Sequence, residues 1–96
     1  DDYVFDKLFL GADGCDSEFG LSTHDETDAR LNARMCAHAR QVILLADGSK
    51  FGRICLYRIC SLARVDTIIS DASLDTDMRT ALSRRGIRVL IAGEDA

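Results

Sequence analysis

The chain has 96 residues, enough for one small domain, and 47% of them are hydrophobic and 29% charged, the balance of an ordinary globular protein. This composition excludes a disordered tail, a collagen-like repeat and a disulfide-dense mini-protein. The net charge is −4 and there is no basic stripe. Because DNA binding needs Lys and Arg to neutralise phosphates, we do not expect this segment to contact DNA by itself.

The longest apolar run, residues 42–46, is far shorter than the roughly 20 residues that a membrane-spanning helix needs. The sequence therefore predicts no membrane partner. The chain begins at Asp1, with neither an initiator Met nor a signal segment. We expect residues 1–96 to be a single domain fragment of a longer protein.

The four cysteines form no CxxC pair, and no His stands at zinc-finger spacing from them. We interpret them as reduced thiols that pack as small hydrophobic groups in a cytoplasmic protein. No metal and no cofactor are expected. The four are Cys15, Cys36, Cys55 and Cys60.

Four short apolar runs are spread along the chain, and they do not alternate with polar residues. Continuous runs of this kind are typical of strands covered on both faces, as in a parallel sheet. The runs comprise residues 8–10, 42–46, 67–69 and 87–91. Residues 51–62 fit neither a helical nor a strand period, and we expect an extended, edge-like segment there.

Two helices are predicted between these runs. Thr23 followed by Glu26 is a capping-box pattern, which predicts a helix over residues 24–39. Ser73 could cap a second helix with apolar residues at helical spacing, and Gly86 would end it. Strands that alternate with helices indicate an α/β fold with a parallel sheet. The pattern predicts half of a doubly wound, Rossmann-like three-layer domain.

Acidic residues follow every predicted strand. Asp13 and Gly14 come after the first strand, and Asp47 and Lys50 after the second. Asp71 and Glu94 follow the third and the fourth. Because ligands of open parallel sheets bind outside the carboxyl ends of the strands, these side chains are candidates for a ligand site. Asp and Gly also favour turns, which explains any one of these loops equally well.

The first predicted helix adds two polar candidates. Asp28 and Asn32 are four residues apart and fall within its otherwise apolar arc, which includes Leu31. A carboxylate directed at a sheet is costly unless it is paired or near solvent. We expect both side chains to face the cleft of Asp13 and Lys50, although Asp28 could instead help to cap the helix. His38 is interpreted as a surface residue, and His24 could reach a ligand.

Several carboxylates with one ammonium suit a polyhydroxylated ligand, because carboxylates accept hydrogen bonds from sugar hydroxyls. They do not suit a phosphate, whose charge they repel. A phosphate would need a Gly/Ser/Thr-rich loop at a helix start, and the sequence has none. This absence also points to a missing half of the domain.

Four longer motifs are similar to those of a known protein family, and the similarity covers residues 5–92. They are residues 6–16 (DKLFLGADGCD), 20–23 (GLST), 45–52 (LADGSKFG) and 65–71 (VDTIISD). Together they resemble the sensor domain of DeoR-type bacterial transcription regulators. The resemblance implies a fold like that of ribose-5-phosphate isomerase and the CoA transferases, and a chain that is only the C-terminal part of the sensor.

The resemblance also implies a function. Regulators of this group respond to phosphorylated sugars or related metabolites, which alter operator binding through an N-terminal winged helix-turn-helix absent from this chain. Ligand contacts carry over to Asp13, Gly14, Asp47 and Lys50. At position 28 the family usually has Glu where this chain has Asp28. We expect a cytoplasmic repressor that forms a homo-oligomer.

Two alternatives remain open. The first is an aldose–ketose isomerase of the ribose-5-phosphate type, in which Asp13 would be the base and Lys50 the electrophilic group. The isomerase signature resembles D-G-A-D-E with a later K-G-G-G stretch, and this chain lacks both its first Asp and that stretch. The second alternative is a module that serves only for oligomerisation.

Overall fold

The computed structural model describes residues 4–94. These residues form seven β-strands, two α-helices and two short 3₁₀ turns. In chain order they are β1 Phe5–Gly11, β2 Gly14–Asp16, β3 Gly20–Thr23, α1 Glu26–Ala37, β4 Ala39–Leu45, the turn Gly48–Lys50, β5 Tyr57–Cys60, the turn Leu62–Arg64, β6 Thr67–Ser70, α2 Thr76–Arg84 and β7 Arg88–Ile91.

The main sheet has four strands in the order β1-β4-β6-β7, and every neighbouring pair is parallel. All four predicted apolar runs coincide with these strands, with only Ala46 and Ile87 just outside them, so the predicted parallel α/β fold is confirmed. The order proceeds across the sheet in one direction. Right-handed crossovers, the rule for parallel strands, therefore place α1 and α2 on the same face.

The hydrophobic core lies between that face and the helices. Leu10, Leu44 and Ile68 occupy neighbouring positions on β1, β4 and β6, and each is at least 95% buried. They belong to one apolar cluster with Cys36 of α1 and Leu82 of α2. The cluster joins both helices to the same side of the sheet.

A second, antiparallel sheet with the order β2-β3-β5 was not predicted from the sequence. Only its edge strand β5 corresponds to the extended segment expected within residues 51–62. The sheet packs closely, because a Cβ atom on Gly14 would lie 2.4 Å from the carbonyl oxygen of Arg53. The buried Ser22 hydroxyl accepts a hydrogen bond from the Cys55 amide at 2.9 Å.

Both predicted N-caps are wrong. The Asp25 carboxylate accepts hydrogen bonds from the amides of Thr27 and Asp28, so α1 begins after Asp25 and no capping box of Thr23 forms. Asp75, and not Ser73, caps α2 in the same way. In both helices the nearer aspartate provides a carboxylate acceptor at the helix start, where negative charge is favoured.

The predicted end of α2 is confirmed. Gly86 has φ +88°, and its amide and that of Ile87 donate to the carbonyls of Ser83 and Leu82, which is a Schellman motif. The predicted apolar arc of α1 is wrong at one position, because Leu31 is 55% exposed.

The cysteines are free thiols, and three of the four are buried, as expected of small hydrophobic groups. Burial is the main cause that raises the pKa of Cys15 to about 12, so this thiol stays protonated at neutral pH. Within residues 4–94, no helix is both long and apolar enough to cross a membrane.

The corrected cap of α1 can be tested by amide hydrogen exchange in the full-length protein, which measures local opening. Asp25→Ala removes the carboxylate acceptor and should lower the opening free energy of α1 by about 0.5–2 kcal/mol. Glu26→Ala is the matched control, because it removes a first-turn carboxylate and its exposed ion pair with Arg30 but not the cap, and it should cost less than Asp25→Ala, at most about 1 kcal/mol. A larger effect of Glu26→Ala would instead support the capping box.

Candidate ligand-binding site

A cavity of about 350 Å³ lies where β1 and β4 end and where the start of α1 faces them. Its location agrees with the rule that open parallel sheets bind ligands outside the carboxyl ends of their strands. The cavity is lined by Gly11, Ala12, Asp13, Thr23, Asp28, Asn32, Leu45, Ala46, Asp47 and Lys50.

Five of the six predicted ligand residues lie together in this lining. They come from three separate parts of the sequence, the loop after β1, helix α1 and the turn after β4. They are Asp13, Asp28, Asn32, Asp47 and Lys50. That these side chains bind a ligand stays a prediction, since the structure holds none.

Gly14, the sixth predicted residue, does not line the cavity. It begins β2, and it is buried against the backbone of Arg53 and the hydroxyl of Ser22. A side chain at this position would collide with both. The structure therefore explains Gly14 by close packing of the small sheet, and its ligand contact stays a prediction without geometric support.

Asp13 is held in place by the strand opposite it. Its Oδ2 atom accepts a hydrogen bond from the Thr23 hydroxyl at 2.8 Å and from the His24 amide at 3.3 Å. The Thr23 hydrogen bond is the main cause of a lowered pKa at Asp13, and the His24 amide and the Lys50 charge act in the same direction. Within residues 4–94, no donor is bonded to Oδ1 of Asp13, so this oxygen can accept a further hydrogen bond.

Asp47 is oriented by the 3₁₀ turn that it begins. Its Oδ1 atom accepts hydrogen bonds from the amide and the hydroxyl of Ser49. These bonds, with a smaller effect of the Lys50 charge, hold the pKa of Asp47 below its usual value. In the described part of the chain, Oδ2 of Asp47 accepts no hydrogen bond and is free to receive one.

Asp71, which directly follows strand β6, holds the 3₁₀ turn Gly48–Lys50 in place. Its Oδ1 atom accepts hydrogen bonds from the Gly48 amide at 3.2 Å and from the amide and hydroxyl of Ser73. The backbones are so close that a Cβ atom on Gly48 would lie 2.3 Å from the Ser73 carbonyl carbon. Asp71 thus fixes the turn that carries Lys50, although it does not line the cavity itself.

Lys50 makes no hydrogen bond and no ion pair with any residue between positions 4 and 94, yet its charge lowers the pKa of both Asp13 and Asp47. The ammonium is therefore near both carboxylates without being bonded to either. Asp28 and Asn32 face it from successive turns of α1, and their side chains have no hydrogen-bond partner in the described residues. The polar groups of the cavity are oriented but largely unsatisfied.

The charge of the lining limits what it can bind. Three carboxylates face one ammonium, so the cavity accepts hydrogen bonds and repels a phosphate placed among them. In residues 4–94, no group of three or more His, Cys, Asp or Glu side chains is arranged to hold a metal ion. The lining suits the hydroxyl groups of a polyhydroxylated molecule.

Thr23 is a cavity residue that the sequence reasoning missed, because it was assigned to a helix cap. The pairing of β2 with β3, which returns the chain towards the end of β1, brings its hydroxyl to Asp13. His24 lies outside the lining, and its Nε2 atom is 3.7 Å from the Cys55 sulfur. Glu94, another strand-end acid, forms an ion pair with Arg79 instead of contributing to the cavity.

Comparison with known proteins identifies similar sequences. The family model for the DeoR C terminal sensor domain matches residues 1–72. Over 92 residues, the chain is 46% identical to a protein of Escherichia coli O157:H7 named for transcriptional repression of the aga operon. It is 41% identical over 86 residues to the HTH-type transcriptional regulator GlpR of Haloferax volcanii, and 33% identical over 93 residues to the repressor GlcR of Bacillus subtilis.

These alignments cover 96%, 90% and 97% of the chain, but only 34%, 34% and 36% of the three relatives. The chain thus spans about a third of the length of the curated relatives that it matches. The sequence motifs in residues 6–16 and 45–52, which contain the cavity loops, lie within the matched region.

The hydrogen bond that orients Asp13 can be tested by NMR titration of the Asp13 carboxyl carbon in the full-length protein. Thr23→Val removes the donor and should raise the pKa of Asp13, whereas Thr76→Val, at the exposed start of α2, should leave it unchanged.

The sign of the effect on stability follows from linkage. Because the folded-state pKa of Asp13 is lowered, its ionisation stabilises the fold above the unfolded-state pKa, and this contribution is lost as the pH falls through the folded-state value. Thr23→Val should make that loss smaller. An unchanged pKa in Thr23→Val would contradict the assigned hydrogen bond.

Proposed function

Because this chain belongs to the DeoR C-terminal sensor domain family, we propose that its strand-end cavity binds a phosphorylated sugar or a related metabolite and thereby controls operator binding. The observation that carries the proposal is the convergence of Asp13, Asp28, Asp47 and Lys50 in one cavity. These residues come from distant parts of the sequence and have unsatisfied polar atoms, which are suited to a hydroxylated ligand.

The orientation of the carboxylates explains how a sugar would be recognised. Asp13 and Asp47 each use one oxygen for an internal hydrogen bond and present the other to the cavity. Groups held in this way accept hydrogen bonds from hydroxyls without a further loss of side-chain entropy. Lys50 would donate to a ligand oxygen, and Asp28 and Asn32 would contact the ligand from α1. The phosphate would be bound by a loop outside this chain.

We also propose the arrangement of the whole protein. Residues 1–96 would be the C-terminal part of the sensor, and the remaining length of the regulator would contain the phosphate-binding loop and a winged helix-turn-helix. The net charge of −4 supports DNA contact through that other domain only. A regulator that acts on DNA, with four free thiols, fits the cytoplasm. We expect it to be a homo-oligomer.

The isomerase alternative has less support. The relatives are named as transcriptional regulators. A general base that works near neutral pH needs a pKa near that pH, whereas the hydrogen bonds at Asp13 lower its pKa. An aspartate of this kind is a weak base but a good acceptor for a ligand hydroxyl. We therefore propose binding without turnover.

The binding role of the cavity can be tested with the full-length protein and a panel of pentose and hexose phosphates, each paired with the unphosphorylated sugar. Thermal shift selects the compound that stabilises the protein most, and calorimetric titration then measures its Kd. Asp13→Asn and Lys50→Ala should each weaken binding about 10-fold or more, because one charge-assisted hydrogen bond contributes about 1.5–3 kcal/mol.

Lys7→Ala is the matched control, because Lys7 is an exposed lysine of β1 away from the cavity. It should keep the affinity of the unchanged protein. If both cavity variants also keep that affinity, the cavity is not the binding site.

Turnover is tested separately. The full-length protein, incubated with D-ribose 5-phosphate, should form no ketose phosphate above the uncatalysed rate. Formation of ribulose 5-phosphate that is lost in Asp13→Asn would establish the isomerase and contradict binding without turnover.

A further inference from the structure

Two of the free thiols lie together where the end of α1 packs against the end of β5. Cys36 is in the last turn of α1, and Cys60 is the last residue of β5. Cys60 is paired with Leu21 of β3, and paired residues of neighbouring strands point to the same face of a sheet. Because Leu21 is fully buried in the same apolar cluster as Cys36, the side chain of Cys60 also faces α1. We call Cys36 and Cys60 the thiol pair.

The two thiol groups are joined by a hydrogen bond. This hydrogen bond is the main cause that lowers the pKa of Cys36 and raises the pKa of Cys60, so the Cys60 thiol donates and the Cys36 sulfur accepts. Cys36 is 2% exposed, whereas Cys60 is only partly buried. The thiol pair therefore has one residue that reaches the surface and one that lies beneath it.

A cation is held beside the thiol pair. The Arg64 guanidinium donates a hydrogen bond to the backbone carbonyl of Cys36 at 3.1 Å. Its charge acts to lower the pKa of both thiols, and the charge of Arg58 acts in the same direction on Cys60. Positive charge next to a thiol favours the thiolate, which is the form that reacts with oxidants. The thiol pair thus differs from Cys15, whose burial keeps its thiol protonated.

Strand spacing prevents Cys15 from acting as the partner of Cys60. The two residues lie on opposite sides of Leu21, with which each is paired, so they are two strands apart on one face of the small sheet. Two strand spacings separate their Cα atoms by about 9–10 Å, whereas a disulfide bond needs Cα atoms no more than about 7 Å apart. The geometry therefore favours Cys36 as the partner of Cys60.

We propose that Cys36 and Cys60 form a reversible disulfide bond when the regulator meets hydrogen peroxide, so that the thiol pair is an oxidation site separate from the strand-end cavity. Cytosolic disulfides are as a rule transient and serve catalysis or redox sensing. The bond closes a loop of residues 36–60, which contains β4 and the turn that carries Lys50. It fastens α1, one wall of the cavity, to the second sheet. This modification goes beyond the proposed sugar binding and does not depend on it.

The reaction balances with hydrogen peroxide as the oxidant and Cys36 as the thiolate. As the sulfur of Cys60 attacks the peroxide, its proton passes to the Cys36 sulfur and the O–O bond breaks. One oxygen stays on Cys60 as a sulfenic acid, and the other leaves as hydroxide. The Cys36 sulfur then attacks the sulfenic sulfur, the S–O bond breaks, and water leaves with the proton that Cys36 had received. The two sulfurs give two electrons to the peroxide, and dithiothreitol can return them.

Peptide mapping of the full-length protein tests the bond. Trypsin cleaves after Arg and Lys, which places the relevant cysteines in different peptides. The peptides of Cys36, Cys60 and Cys55 comprise residues 35–40, 59–64 and 54–58. The folded protein is treated with hydrogen peroxide, the remaining thiols are blocked with iodoacetamide, and the digest is analysed by mass spectrometry without reduction. A parallel sample is unfolded in guanidinium chloride before the same treatment.

The folded protein should yield peptides 35–40 and 59–64 linked to each other, and dithiothreitol should separate them. Non-reducing electrophoresis should show that the bond lies within one chain. The peptide of Cys55 is the internal control and should be alkylated, because its sulfur is next to the His24 imidazole and not to a second thiol. Unfolding before oxidation should remove the preference for the linked peptide, since only the fold brings the two thiols together.

Variants identify the two sulfurs. Cys36→Ser should lose the linked peptide completely, whereas Cys55→Ser, the matched control, should keep it. The proposal is overturned if peroxide leaves peptides 35–40 and 59–64 unlinked in the folded protein without substitutions, or if Cys60 is linked mainly to another cysteine or to a second subunit. The decisive measurement needs neither a variant nor a sugar, so its outcome is distinct from that of the sugar-binding test.

Discussion

The common direction of the four main strands determines most of the remaining structure. Because they are parallel, their carboxyl ends meet at one edge of the sheet, and the loops that leave them converge there. Because crossovers between parallel strands are right-handed as a rule and the strand order proceeds one way, both helices pack on one face. The same constraint therefore brings Asp13, Asp47 and Lys50 together, directs α1 towards them, and places neither of the two described helices on the opposite face.

Local hydrogen bonds then hold the polar side chains of the cavity in fixed orientations. Thr23 orients Asp13, Ser49 orients Asp47, and Asp71 fixes the turn that carries Lys50. Holding carboxylates close to each other costs free energy, which the hydrogen bonds and the Lys50 ammonium offset by keeping both aspartates ionised. The proposed ligand would thus meet acceptors that are already oriented, in a cavity whose charge favours hydroxyl groups over a phosphate.

The sequence predicted correctly those elements of the structure that depend on residues close to each other in the chain. Continuous apolar runs predicted all four strands of the main sheet, and helical spacing placed Asp28 and Asn32 on the cavity side of α1. The second sheet was missed because β2 and β3 have three and four residues, and their pairing depends on distant contacts. Thr23 was misassigned because both it and Asp25 satisfy the rules for an N-cap, and only the fold brings its hydroxyl to Asp13, ten residues away.

A crystal structure of the full-length regulator with the sugar phosphate that stabilises it most would test the central claim directly. We predict that ligand hydroxyls lie within hydrogen-bond distance of Oδ1 of Asp13 and Oδ2 of Asp47, with Lys50 in contact with a ligand oxygen and the phosphate bound by residues that precede this chain. A ligand bound at another surface, with none at the ends of β1 and β4, would contradict the account.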